Sequence, residues 1–431
     1  MERKITQDLL GWKNNPRRKP LILNGARQTG KTFIVRDFGQ NHFEDLAYFN
    51  LEKSQQAANI FDGNIDPQRL VGLLSAIHGK QIEPDRTLIF LDEVQASERA
   101  LTSLKYFQED APEFHVVAAG SLLGIAVSRK KISYPVGKVD MMTLYPMDFE
   151  EFLWALERQL LSEAIRESYE AMHGFPLHTL ALDFYRQYLI VGGMPEVVAA
   201  FAQSRDYTTL GVIHETIMDS YIADITRYAD ANETVRILEA YNSLSRQLLK
   251  ENRKFQYSAV RSGARASQFL YPLAWLDAAR LTLRCNETTS GLSPLKAFEN
   301  PDAFKVYLSD VGLLCSRYEV NPIDILEDEL ASTLFKGALA ENYVMQHLVS
   351  NGFSPLYWGK PRYAEVDFVI TDSEGRVVPL EVKSGDSVRS KSLTIFREKY
   401  QSSYAIRCSA KNFGFENQIK AVPLYAAFCI R

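Results

Sequence analysis

Cysteine is scarce in this chain of 431 residues: Cys285, Cys315, Cys408 and Cys429 are the four present, and no two form a Cys-x-x-Cys pair. The spacing excludes a disulfide framework and a zinc ribbon, and leaves reduced thiols as the expectation. The seven histidines show no His-x-x-x-His spacing, which excludes the zinc-protease pattern. No apolar run approaches the ~20 residues that span a bilayer. Met1-Glu2-Arg3-Lys4 leads into mixed polar sequence rather than an apolar signal core, so a cytoplasmic chain that does not engage a membrane is expected. An excess of charge of one sign is missing too. With 49 Lys and Arg against 53 Asp and Glu, the net charge of −4 gives no global attraction to nucleic acid, and any DNA contact must come from a local patch. Internal repeats and low-complexity tracts are also lacking.

What is present describes a folded chain of several domains. Hydrophobic residues make up 46%, aromatic residues 11% and charged residues 24%, which excludes disorder. The length exceeds the roughly 250–300 residues at which a single core stops growing. Short apolar runs alternate with helical stretches at the start: Leu21-Ile22-Leu23, Ala47-Tyr48-Phe49, Leu88-Ile89-Phe90-Leu91 and Val116-Val117-Ala118-Ala119. This is the rhythm of an α/β unit with a parallel sheet. From Phe149 the spacing becomes helical, with Phe152-Leu153, Leu156 and Leu160-Leu161 on one apolar face. Gly192-Gly193-Met194-Pro195 reads as a helix stop and restart. Helices and a hairpin-like segment with turn signals at Ser290-Gly291 and Asn300-Pro301 follow, fitting a winged-helix-like module. After Asn321-Pro322 the pattern is again α/β, with strands expected at 365–370, 377–383 and 403–406. The expected domains are therefore 1–148, 149–234, 235–320 and 321–431.

Gly25-Ala26-Arg27-Gln28-Thr29-Gly30-Lys31-Thr32 matches G-x-x-x-x-G-K-[ST] and lies directly after an apolar strand and before Phe33-Ile34-Val35. The glycines let backbone N–H groups curl around phosphate oxygens, and the following helix adds its positive end. Lys31 is expected on the β- and γ-phosphates and Thr32 on Mg²⁺. Leu88 to Leu91 lead into Asp92-Glu93: Asp92 is expected in the Mg²⁺ shell and Glu93 as the base that polarises water. Gly120-Ser121 follows the next strand, where Ser121 could read the γ-phosphate.

These stretches, with Lys19-Pro20-Leu21, Leu91-Asp92-Glu93-Val94-Gln95, Ala119-Gly120-Ser121 and Leu144-Tyr145-Pro146-Met147-Asp148-Phe149-Glu150-Glu151-Phe152, resemble a prokaryotic family of AAA-type ATPases of the AAA+ superfamily. Its members carry a C-terminal domain of unknown function related to PD-(D/E)xK nucleases. The resemblance runs over almost the whole chain. It implies a P-loop core that binds ATP and Mg²⁺ and works as a homo-oligomeric ring. Members often have Gly-Arg ahead of Leu-Tyr-Pro, where this chain has Gly137-Lys138. Lys cannot reproduce the planar fork of an arginine finger, so Lys138 and Arg129 both stand as candidates.

In the tail, Ala364-Glu365-Val366-Asp367-Phe368-Val369-Ile370 alternates as a half-buried strand does, and so does Pro379-Leu380-Glu381-Val382-Lys383-Ser384. A turn at Asp372–Gly375 would make the two a hairpin and bring Asp367 to Glu381, with Glu341 on a helix over 335–348 completing the cluster. Asp367 and Glu381 would bind Mg²⁺, and Lys383 would orient the water. The same alternation also suits a salt-bridged surface. The set Glu341, Asp367, Glu381 and Lys383 resembles the PD-(D/E)xK fold, which implies a restriction-endonuclease-like α/β domain. Over 250–300, eight basic residues (Lys250, Arg253, Lys254, Arg261, Arg265, Arg280, Arg284, Lys296) face four acids, with Tyr257, Phe269 and Tyr271 interleaved, a pattern that could grip DNA or be a solvated helix face. Asp224 is read as an Asp–Arg pair with Arg227 on a surface helix.

The expectation is an ATP-hydrolysing AAA+ protein whose nuclease-like tail binds DNA and, with a competent metal site, cuts it. The competing expectation is an ATP-dependent switch or scaffold whose tail only docks a partner. A chain that holds ATP without turning it over is the third.

Overall fold

The four N-terminal runs are apolar on both faces, as parallel strands covered by helices on each side must be. They form β1 (Leu21–Asn24), β2 (Asp45–Asn50), β3 (Thr87–Asp92) and β4 (His115–Ala119), and β5 (Asp140–Thr143) joins them at an edge. The sheet is parallel in the order β2-β3-β4-β1-β5. The computed structural model describes the chain apart from residues 122–136, 252, 329–331, 361–362 and 386–389. It divides into two compact units: Glu2–Tyr145 with Ala278–Arg280, and Met1 with Pro146–Asp277 and Leu281–Arg431.

In the first unit, alternate residues of each strand serve opposite cores, as the two-residue period requires. Ile22, Ala47, Phe49, Ile89, Leu91, Val116 and Ala118 pack with Leu70 and Leu74 of the helix Pro67–His78 and with Leu104 and Phe107 of the helix Glu98–Asp110. Leu21, Leu23, Leu88, Phe90, Val117 and Ala119 pack with Ile34, Val35 and Phe38 of the helix Lys31–His42. Parallel alignment places the C-terminal ends of β1, β3 and β4 along one sheet edge, where open α/β sheets bind ligands.

The second unit begins with helices. Asp148 and Glu151 form a reciprocal capping box at the start of the helix Phe149–Ala155. Phe152, Leu153, Leu156 and Leu161 are buried as expected, but Leu160 is 80% exposed. The cause is a break: one helix ends at Ala155, Glu157 takes a left-handed φ of 60°, and the next helix, Gln159–Ala171, restarts the period. The glycine-proline interruption falls as read, between the helices His178–Val191 and Pro195–Ser204. Asp224 is buried rather than on a surface helix, because Leu210–Tyr228 packs against three other helices.

The strands β6 (Thr282–Thr288), β7 (Glu299–Leu308), β8 (Leu356–Lys360), β9 (Ala364–Thr371), β10 (Val377–Val382), β11 (Ala405–Ser409), β12 (Gly414–Glu416) and β13 (Ile419–Pro423) make one mixed sheet, ordered β12-β13-β11-β10-β9-β8-β6-β7. The hairpin read as part of a winged-helix-like module is thus two strands of the C-terminal sheet, joined through the parallel pair β6 and β8. Asn300-Pro301 is not its turn. It lies inside β7 at a register shift, where a residue without an N–H is tolerated. The helix Thr333–Ser350 rests on β6, β7 and β10. Among the described residues, no helix is long and apolar enough to cross a membrane. All four cysteines are buried free thiols.

Candidate functional site

The phosphate loop connects Asn24 at the end of β1 to Lys31 at the start of a helix. Two of its residues must be glycine. A Cβ on Gly25 would stand 2.3 Å from the Leu144 carbonyl oxygen, and Gly30 is the left-handed N-cap with φ 92°. Gly25 N–H donates to Asn24 Oδ1 (2.8 Å), and Thr29 Oγ1 donates to the Ala26 carbonyl (2.9 Å). Lys31 is buried along the loop and donates to the carbonyls of Gly25 (2.9 Å) and Ala26 (2.7 Å). Arg27 and Gln28 are half-buried at its crest. The buried Arg3 guanidinium donates to the Thr29 carbonyl (3.1 Å) and the Tyr145 carbonyl (2.7 Å), tying the loop to the segment after β5.

The acidic half of the site stands at the end of β3. Thr32 Oγ1 donates to Asp92 Oδ2 (2.9 Å), which also accepts from Tyr48 Oη (3.0 Å). The next residue, Glu93, has φ 50°, and its carboxylate accepts from Gln95 Nε2 at 2.5 Å. Burial holds the Glu93 pKa above the ordinary carboxylate value; the Gln95 hydrogen bond and the Lys31 charge pull against that, and the Asp92 charge adds to it. Ser121 is buried two residues past the end of β4, on the same sheet edge. Two oxygen donors at hydrogen-bond distance, one of them a carboxylate, suit a hard cation such as Mg²⁺, and the Gly25 cradle suits phosphate. The sequence reading thus converges on one place for Gly25 to Thr32, Asp92 and Glu93. Lys138 is ion-paired with Glu109 (2.9 Å). Arg129 lies outside the described residues.

The C-terminal hairpin forms as read: β9 and β10 are antiparallel with Phe368 opposite Leu380, the turn is closed by the Gly375 N–H donating to the Asp372 carbonyl, and Val382 N–H donates to Asp367 Oδ2 (2.8 Å). Asp367 and Glu381 are neighbours, and Lys383 Nζ pairs with Glu381 Oε1 (2.7 Å). Burial holds the Glu381 pKa above the ordinary carboxylate value.

Glu341, expected as a third metal ligand, is otherwise engaged. It forms ion pairs with Arg253 and Lys305 and accepts from the Tyr307 hydroxyl. The ammonium of Lys305, 1% exposed, stands 2.7 Å from Glu365 Oε1, 3.1 Å from Glu341 Oε1 and 4.0 Å from Asp367 Oδ1. A cation of the chain therefore sits among the carboxylates, and the residues do not fit Mg²⁺ as a third acidic ligand would require. Among the described residues, no group of three or more His, Cys, Asp or Glu is placed to hold a metal ion.

Four of the eight basic residues of the 250–300 stretch are ion-paired within the chain. Arg253 pairs with Glu341, Lys254 with Glu287 (3.0 Å), Arg261 with Glu239 (3.3 Å) and Arg284 with Asp277 (3.2 Å). Tyr257 meets Phe269 at a tilt of 37° and packs edge-on against Phe255 and Phe304.

The parallel sheet with its phosphate loop has the layout of a P-loop unit. Residues 17–153 match the AAA domain, 182–324 match a domain of unknown function (DUF8612), and 336–427 match another domain of unknown function (DUF4143). No curated protein matches the chain. Among solved structures, the chain is similar to a Walker-type ATPase of Pyrococcus abyssi (14% identity, TM-score 0.45, 73% of this chain and 94% of that one). It is also similar to the ORC2 protein of Aeropyrum pernix in its ADPNP–ADP complexes (12%, 0.35, 76% and 93%) and to the ORC1 protein of Aeropyrum pernix in complex with DNA (12%, 0.29, 73% and 90%).

Arg3, Tyr48, Gln95, Arg253, Lys305 and Tyr307 were not singled out for these roles from sequence. Tyr48 and Gln95 had a usable signal, being polar and next to strand ends on the ligand edge. Arg3 and Lys305 had none, since their partners are far away in the chain.

Proposed function

We propose that the chain is an ATP-hydrolysing AAA protein whose C-terminal module docks a protein or nucleic-acid partner without cutting it. The observation that carries the ATPase half is the Thr32–Asp92 hydrogen bond beside a glutamate whose proton affinity is raised by burial. Backbone N–H groups from Gly25 to Thr32 cradle the phosphates, and Lys31 exchanges the Gly25 and Ala26 carbonyls for phosphate oxygens. Thr32 and Asp92 would hold Mg²⁺, which when bound would offset phosphate charge. Glu93 takes the proton of the attacking water, with Gln95 fixing its carboxylate. Ser121 reads the γ-phosphate, and the change of state is passed on to the tail. Assembly into a ring belongs to the same reading.

The docking half rests on Lys305 among the tail carboxylates and on the paired basic stretch. A second reading, a metal-dependent nuclease of PD-(D/E)xK type acting on DNA, is favoured by one observation: Glu381 is buried beside Lys383, and among the described residues its Oε2 meets no donor within hydrogen-bond geometry. Two assays decide. Phosphate release abolished by Glu93→Gln supports ATPase action, and no release from the native protein ends that reading. Plasmid nicking with Mg²⁺ or Mn²⁺ that disappears in Lys383→Ala replaces docking with cleavage.

A further inference from the structure

The acidic cluster of the second unit draws together Glu341 from a helix, Glu365 and Asp367 from β9 and Glu381 from β10. Glu341 and Glu381 are buried and Asp367 is only 17% exposed, so their carboxylates need compensating charge. Lys305, projecting from β7, supplies it from inside: its ammonium reaches Glu365 and Glu341 at 2.7 and 3.1 Å, faces Asp367 at 4.0 Å, and lies 5.2 Å from the Tyr357 ring centroid. Arg253 and the Tyr307 hydroxyl take the remaining valence of Glu341, and Lys383 takes one oxygen of Glu381.

We infer that Lys305 is the resident cation of this cluster: its ammonium holds the place of a divalent ion and keeps the native tail metal-free. The charge balance supports this. Four carboxylates against Lys305, Arg253 and Lys383 leave one negative charge, so a divalent ion would overshoot to positive while facing an ammonium. Without Lys305 the cluster carries two negative charges, which one divalent ion neutralises. The oxygens tell the same story. Mg²⁺ and its relatives seek about six oxygen ligands. Here Glu341 and Glu365 are turned on chain cations, Asp367 Oδ2 accepts the Val382 N–H, and one oxygen of Glu381 is taken by Lys383. The cluster is then an ionic joint that ties β7, β9, β10 and the helix Thr333–Ser350 together, the same joint that the docking reading invokes.

Manganese bound to the full-length protein without nucleotide, counted from the EPR signal of free Mn²⁺, tests this. The native protein and Asp367→Asn should bind equal amounts, while Lys305→Met, which keeps the apolar stem, should take up one additional ion per chain that Lys305→Met/Asp367→Asn loses. Manganese on the native protein that Asp367→Asn removes would overturn the inference, as would a folded Lys305→Met that gains none. Should Lys305→Met fail to fold, the comparison of the native protein with Asp367→Asn decides alone. Phosphate release scores the ATPase reading and plasmid nicking scores docking, so failure here is separable from failure there.

Discussion

Thr32 Oγ1 donates to Asp92 Oδ2 across 2.9 Å, joining the first turn after the phosphate loop to the end of β3. The two groups are sixty positions apart in sequence, and the hydrogen bond holds both oxygens where one cation can use them. Removing either oxygen weakens the cation site without opening the core. Thr32→Val and Asp92→Asn should each raise the Mg²⁺ concentration for half-maximal ATP turnover by about 10- to 100-fold. A Mg²⁺ titration of phosphate release reads this, with the thermal midpoint as a control for folding.

As the proposed base, Glu93 must be ionised to accept a proton from water, and burial holds its pKa above the usual value. Turnover should therefore fall as pH drops through that raised pKa, giving an acid limb above the ordinary carboxylate range. Gln95 lowers the pKa by donating to the carboxylate. Gln95→Ala should move the acid limb to higher pH, and Glu93→Gln should cut the rate by about 10²- to 10⁴-fold with ATP still bound. An unmoved limb in Gln95→Ala would show that Gln95 does not tune the base.

Gly25 leaves no room for a side chain, since a Cβ would meet the Leu144 carbonyl oxygen at 2.3 Å. That oxygen is backbone and cannot rotate away, so Gly25→Ala must shift the loop. ATP binding measured by calorimetry should be lost, whereas Gly79→Ala, at a glycine of positive φ with nothing within 4 Å of its Cβ, should keep it.

The phosphate loop was legible because its residues are contiguous: a strand, eight residues and a helix state the geometry locally, and Asp92-Glu93 was legible as acids ending a second apolar strand. The tail hairpin was legible for a related reason, since a two-residue period and a turn fix which residues become neighbours. Lys305 was not. It lies on a strand, 36 positions from Glu341 on a helix, and no local pattern shows that a buried lysine will stand among Glu341, Glu365 and Asp367. The winged-helix reading failed to anticipate β8, which pairs with β6 across Asn286 and Leu356, because a hairpin reads the same whether it stands alone or extends a sheet. Leu160 misled through periodicity, which carries no marker for a helix that stops and restarts.

Asp310 supplies a prediction about stability rather than turnover. Its carboxylate accepts from the N–H groups of Gly193 (2.6 Å) and Leu313 (3.0 Å), yet complete burial outweighs these bonds and raises its pKa from 3.8 to about 6. The folded state therefore holds a proton on Asp310 that the unfolded chain has already released between these values. Its contribution to stability is full below about pH 4 and is lost as pH rises through about 6, a change on the order of 3 kcal/mol. Asp310→Asn keeps an acceptor and the shape but cannot titrate. Urea unfolding of the native protein and the variant at pH 4 and pH 7 isolates the effect, because every other group is common to both. The native protein should lose stability relative to Asp310→Asn on going from pH 4 to pH 7. A difference that stays constant would mean that the two backbone donors hold the carboxylate ionised throughout, and that burial is not the dominant force on this residue.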